Sequence, residues 1–378
     1  MRLEYPAGGA LATSGAQART QALPRDRPRQ PTYSSLNVLR VILGVAVLLY
    51  HLGATLALDK YFGVDLYEHI FGFGGARIPF FFVLSGFLLT IVYARDIGSP
   101  ARAPGFLWRR AFRVYPTYWI ILLVVMAPAL FFESLRDAIP HDPLVLVKTF
   151  LLIPQHPSVA GATGAPVLVA AWTLHYEIAF YLVLAVWIWS RVAGIALCLV
   201  LAANMAVCTE WQCGFYNSFL AGGSMLYFAF GAGAAWLARR LPPLPNAKWL
   251  TWVAGLTYLF IAVLTHGDDL GVAGAHDPSI YYGMLASLIL LCLTRVEDES
   301  PRSEGPPWLK VLADSSYAMY LIHFPVISLM CKLLTGAGLR GFYGATVTLV
   351  VTLGVCLALS VAFHLLVERR LLVFRGTG

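Results

Sequence analysis

The sequence predicts an all-α protein, a polytopic bundle of about ten transmembrane helices with both termini on the cytoplasmic side. Three observations predict it: a composition suited to lipid, ten apolar runs of spanning length, and Lys and Arg gathered on one side. Of the 378 residues, 58% are hydrophobic and 12% charged, with a mean hydropathy of +0.70. A soluble domain carries about 25% charged residues. In hydrocarbon the backbone must satisfy its own hydrogen bonds, and for runs this long and apolar the helix does so.

A helix needs roughly 17–25 apolar residues to cross ~30 Å of hydrocarbon. Ten runs qualify: 36–57, 78–94, 116–132, 170–190, 192–208, 217–238, 249–266, 279–294, 315–335 and 343–367. The segment 143–153 is too short to span and reads as an interfacial helix in an outer loop. Residues 1–35 are polar and rich in Arg, Pro, Gly and Gln, the composition of a disordered cytoplasmic tail. No apolar stretch with a cleavage site follows, so they are not read as a signal peptide. The expected organisation is a tail over 1–35, one membrane domain over 36–370 and a short cytoplasmic tail over 371–378.

Charge orients the bundle. With the N-terminus inside, inner segments hold 20 Lys and Arg, while outer loops hold six: Lys60, Arg77, Arg136, Lys148, Lys332 and Arg340. That asymmetry predicts cytoplasmic termini. The acidic loop 267–277, with Asp268, Asp269 and Asp277, then faces outward. The formal charge of +7 sits in loops, without a long basic tract carrying interleaved aromatics, so no nucleic-acid partner is expected. The six cysteines include no CxxC, and no metal site is expected. Cys208 and Cys213 flank a short outer loop, where small apolar residues are expected in preference to a disulfide.

Ionisable side chains within spans cost several kcal/mol unless paired or hydrated, which makes each a functional candidate. They are Arg40, His51, His175, Glu177, His323 and, near an end, His364. Arg40 and His51 are eleven residues apart, on one helix face and ~16 Å apart along the axis. Counted from their outer ends, His51, Glu177 and Ser85 fall in one layer, with His323 nearer mid-membrane. A carboxylate that orients a His, which takes a proton from an alcohol, suits general-base chemistry. A polar network that holds helices together explains the same residues equally well. Arg109, Arg110 and Arg113 sit at the cytoplasmic face. The positive-inside rule accounts for them, and so does an anion clamp of guanidinium forks matched to the phosphates of coenzyme A, completed by Arg40. Gly231 and Gly233 are expected to allow close helix packing.

At these residues the sequence resembles the acyltransferase-3 group of membrane acyltransferases. The first span carries Arg-x10-His as LRVILGVAVLLYH, at Arg40 and His51, and the second carries FFFVLSGFLL around Ser85. The third opens with RRAFRVYPTYW, at Arg110 and Arg113, and the fourth has WTLHYEIAFY, at Trp172, Glu177 and Tyr181. The ninth has SYAMYLIHFPV, at Ser316, Tyr317, Tyr320 and His323. The order of five motifs over about residues 36–370 makes the match specific.

The resemblance implies transfer of an acyl group, acetyl expected, from cytoplasmic acyl-CoA to a hydroxyl of a carbohydrate, exopolysaccharide precursor or glycosylated metabolite. It implies a multi-pass protein of the plasma membrane, the inner membrane of a bacterium, with the lipid bilayer as its surroundings. Acyl-CoA is a donor substrate here, and no bound cofactor is expected. On this reading His51 and Glu177 are catalytic, while Arg40, Arg110, Arg113, Ser85, His323, Trp172 and Tyr181 bind substrate. Two departures stand out. RIPFFF places Arg77 and Pro79 where many members have an acidic residue before the Phe pair, and LVERRLL places Arg369 where members often have Pro after Glu. The alternative from another class is a transporter or flippase for a glycolipid or polysaccharide intermediate, with the same polar residues lining its path.

Overall fold

The computed structural model describes residues 34–374 apart from 134, 135, 137, 138, 162, 243, 266–278 and 300–304. Those residues are helical wherever the sequence carries an apolar run. The expected disordered tail, apart from Ser34 and Ser35, and the acidic loop 267–277 lie outside the described residues, as do the last four positions of the C-terminal tail.

The chain enters through α1 (Ser34–Leu56), continues through a short α2 (Leu66–Phe71) and a 3-10 turn (Gly72–Ala76), and returns as α3 (Arg77–Tyr93). Next come α4 (Ala103–Met126), the short α5 (Pro143–Phe150) and α6 (Pro157–Ala160), and α7 (Trp172–Trp189). Four helices follow: α8 (Arg191–Glu210), the short α9 (Phe215–Ala221), α10 (Gly223–Ala238) and α11 (Ala247–Leu264). The last are α12 (Ser279–Glu299), α13 (Pro307–Gly336), α14 (Gly341–Phe363) and α15 (Arg369–Phe374), the final two joined by a π-helical turn, His364–Glu368. Ten of the helical stretches are long and apolar enough to cross a membrane. This is a multi-pass membrane protein.

Two spans begin well before their apolar windows. The third begins at Ala103 and the ninth at Pro307, because a helix whose hydrogen bonds are already running continues into polar residues beyond the hydrocarbon. Pro116 sits inside α4 without ending it. Arg109, Arg110 and Arg113 therefore stand on the helix itself, and Arg110 and Arg113 line the chamber described below.

Close approach of α3 to α10 fixes the centre of the bundle. A Cβ on Gly231 would stand 2.0 Å from the Val83 carbonyl oxygen, and one on Gly86 would stand 2.4 Å from that of Phe228. Backbone thus meets backbone, as small residues allow between helices in lipid. Gly233, expected to share this role, has open space around it. Two residues on from Gly231, it lies about 200° round the helix and faces away from the seam. At the periphery α8 buries only Gly194. Cys208 and Cys213 are joined by a disulfide across the loop between α8 and α9, contrary to the expectation of two small apolar residues. Their separation of five residues lets the helix end turn back and bring the Cα atoms to 5.5 Å.

Candidate active site

A chamber of about 250 Å³ opens between α1, α3, α4, α7 and α13. Its walls carry Arg40 from α1, Ser85 from α3, Arg110 and Arg113 from α4, Glu177 and Tyr181 from α7, and Tyr317 and Tyr320 from α13. Glu177 and Tyr181 are four residues apart on one face, so the Tyr181 hydroxyl reaches back to donate to the Glu177 carboxylate. Arg110 donates to the Tyr93 hydroxyl at 3.0 Å and lies across the Tyr93 ring, its centre 5.2 Å away. The Arg110 Nε is buried without a hydrogen-bond partner among the described residues. Arg113 stands 3.9 Å from Glu368, a buried carboxylate that accepts from His364 Nδ1 at 2.8 Å. Three of the arginines the motifs pointed to thus meet at one end of the chamber, with Glu177 beside them.

A smaller cavity, the branch, adjoins this chamber. It shares Arg40, Phe81, Thr173, Ser316 and Tyr320 with the main space and adds Gly44, Val47 and Arg77. The Tyr320 hydroxyl accepts from Thr173 at 2.7 Å and donates to the Ala170 carbonyl at 2.8 Å, which pins α13 to the start of α7. Behind this branch stand the two histidines. His51 and His323 have ring centroids 5.3 Å apart, with Phe324 4.3 Å from His51. His323 Nδ1 faces the Tyr320 carbonyl at 2.6 Å, so that nitrogen carries the proton and Nε2 holds a lone pair. That Nε2 is buried and has no partner among the described residues.

The expected single layer of His51, Glu177 and Ser85 does not form. The nearest hydrogen-bond partner of the His51 ring is Arg77, whose Nη2 lies 2.7 Å from Nε2. Glu177 pairs with Tyr181 instead. The register explains the difference. Thr173 is level with Tyr320; Glu177 lies one turn further along α7, and His323 nearly one turn the other way along α13. The histidine pair and Glu177 are therefore separated by roughly two turns, ~10 Å. Ser85 lines the chamber on the Glu177 side. Trp172 packs its ring against Phe82 and Tyr176, at 6.5 and 6.0 Å, and is not on the chamber wall.

Arg77 is the residue that reading the sequence missed. It counts as an outer-loop cation by hydropathy, yet it opens α3 and is only 5% exposed. The available signal was its position, an arginine on the side poor in positive charge, directly before an apolar run. His364 was visible only as an ionisable residue near a span end, and Glu368 only as the Glu of LVERRLL. Their link to Arg113 required the folded α14.

A family model described as an acyltransferase domain matches residues 33–364. The chain belongs to the acyltransferase-3 family. Membership makes it an O-acyltransferase and sets the transporter alternative aside. Among its relatives is the exopolysaccharide production protein ExoZ of Rhizobium meliloti (strain 1021), 31% identical over 316 residues, covering 80% of this chain and 91% of that protein. The acyltransferase MdmB of Streptomyces mycarofaciens is 26% identical over 347 residues, 82% of each chain. The peptidoglycan O-acetyltransferase OatA of Listeria monocytogenes is 25% identical over 333 residues, 79% of this chain but 50% of that longer protein. No solved structure matches the chain.

Proposed function

We propose that this acyltransferase-3 protein moves an acetyl group from acetyl-CoA to a carbohydrate hydroxyl of an exopolysaccharide precursor, with the arginine end of the chamber facing the cytoplasm. One observation carries the reading: two cavities that share five lining residues, Arg40 among them, extend from Arg110 and Arg113 to Arg77, the hydrogen-bond partner of His51. Guanidinium groups suit the phosphates of a coenzyme A donor. The pantetheine arm is long enough to carry a thioester from the arginines towards Arg77 and His51. The acceptor class is supported by the ExoZ relative, whose name ties it to exopolysaccharide production.

In the reaction, His51 takes the proton of the acceptor hydroxyl, and the oxygen attacks the thioester carbonyl carbon. The C–S bond then breaks, and the leaving thiolate recovers the proton. Glu177 is assigned to the donor end, where it holds Tyr181 and offsets the charge of Arg110 and Arg113.

Two features support cytoplasmic termini. Inner segments carry 20 Lys and Arg against six outside. With ten spans, the α8–α9 loop lies on the side opposite the termini, and it holds the Cys208–Cys213 disulfide, a bond that persists in oxidising compartments.

The test uses membranes containing wild type or His51→Ala, labelled acetyl-CoA and extracted polysaccharide. Transfer of label into polysaccharide by wild type, reduced by about 10²–10⁴ in the variant, is expected for a general base. Equal labelling by His51→Ala removes His51 as the base. Label delivered to small metabolites alone removes the polysaccharide acceptor.

A further inference from the structure

We infer that Arg77 is a further catalytic residue of the transfer, the guanidinium that receives the negative charge of the tetrahedral intermediate. The inference rests on the proposed reaction and adds a group the family motifs do not include.

The geometry is specific. Arginine only donates, so the 2.7 Å contact from Arg77 Nη2 makes His51 Nε2 the lone-pair nitrogen of a neutral imidazole. The other arm, Nη1, donates to the Gly74 carbonyl at 2.6 Å, and the guanidinium carbon lies 4.3 Å from the Tyr50 ring centre. Backbone, ring and imidazole together hold the group in place, while its Nε has no partner among the described residues. None of the ion pairs among the described residues includes Arg77. It is therefore a buried cation with no carboxylate beside it, an arrangement that is costly inside a membrane.

Position supplies the reason. Arg77 lines the smaller cavity, whereas His51 does not and is reached through its contact with Arg77. A thioester arriving along the branch meets the guanidinium before the imidazole. Charge that develops during transfer then supplies the missing counter-charge. As the acceptor hydroxyl takes the place of Arg77 at His51 Nε2, its proton passes to that nitrogen and its oxygen bonds to the carbonyl carbon. The carbonyl electron pair moves onto oxygen, where the displaced Arg77 N–H donates to it. Collapse restores the carbonyl and breaks the C–S bond, the leaving thiolate takes the proton from His51 Nε2, and Arg77 then returns to the lone pair on that nitrogen. A donor placed where charge appears only in the transition state acts on turnover.

The experiment uses the full-length protein in native membranes, with Arg77→Gln, Arg77→Lys and Arg77→Ala. Transfer from labelled acetyl-CoA gives kcat and KM, and ester-bound acetyl on polysaccharide from cells expressing each variant gives a readout independent of the donor. Arg77→Gln is expected to lower kcat by about 10²-fold, the loss typical of one oxyanion donor, with both KM values within about three-fold. Guanidinium ion added to Arg77→Ala is expected to restore turnover about tenfold where ammonium does not, since only the planar fork reproduces both arms. Rescue also shows that the variant is folded. Turnover of Arg77→Gln within about three-fold of wild type overturns the inference, and so does a loss carried in the acceptor KM, which would mark a binding site for a fixed anion. Absence of rescue in a variant that melts like wild type reduces Arg77 to a tether for His51 and also overturns it. If wild type acetylates polysaccharide in cells but ignores acetyl-CoA in membranes, the donor reading fails. Arg77 is then judged on the cellular ester alone, where retention by Arg77→Gln counts against it and loss supports it.

Discussion

Tyr181 donates to Glu177, and Arg77 donates to His51, so each of these two functional candidates has a partner of its own. Their work should separate accordingly. Glu177→Gln is expected to raise KM for the acyl-CoA donor by about three- to thirty-fold with a smaller effect on kcat, and His51→Ala to act on kcat. The double variant should lose the product of the two effects, since residues roughly 10 Å apart without shared partners add in free energy. A double variant no worse than His51→Ala alone would mean the two act as one unit after all. His51, Glu177 and the arginines were legible because a charge in an apolar run has few innocent explanations. Their partners were not. Counting depth from span ends put His51 and Glu177 in one layer because it carries an error of a turn at each end, and two such errors give the observed separation. Arg77 escaped because hydropathy alone places an arginine at a helix start in a loop.

The helices themselves were readable as apolar runs, and all ten spans fall where the runs do. The short α2 and the 3-10 turn before α3 were not foreseen, since residues 58–77 have neither the length nor the hydropathy of a span. They matter because they set the Gly74 carbonyl against Arg77, and Arg77 against His51. Packing between elements was legible only in outline. Of the two candidate glycines in FAFGAGAAW, one lies on the α3–α10 seam and the other faces open space, a distinction set by helix rotation. Gly231→Val should force the two helices apart and destabilise the protein by about 2–4 kcal/mol, lowering the melting temperature in detergent, while Gly233→Val should change it little. Comparable melting of the two variants would show that the seam can yield. Because Ser85 adjoins Gly86 and lines the chamber, the Gly231 variant should also lose donor affinity in whatever fraction remains folded.

At the scale of the molecule, the charge count and the disulfide point the same way. In intact cells carrying Cys198→Ser, a membrane-impermeant maleimide is expected to label Cys208 and Cys213 only after an impermeant reductant has been added. Labelling without reductant would deny the bond, and labelling only after the cells are permeabilised would invert the bundle. The chamber has a further consequence. On the proposed donor and orientation, its two ends belong to different compartments' chemistry, with a phosphate-binding mouth at one and a sugar-modifying base towards the other. Coenzyme A is then never exported. Only the two-carbon fragment passes the midplane, and the spent thiol withdraws by the way it came. A cell could thus decorate a polymer beyond its permeability barrier while its nucleotide pool stays intact, with one chain serving as both catalyst and conduit.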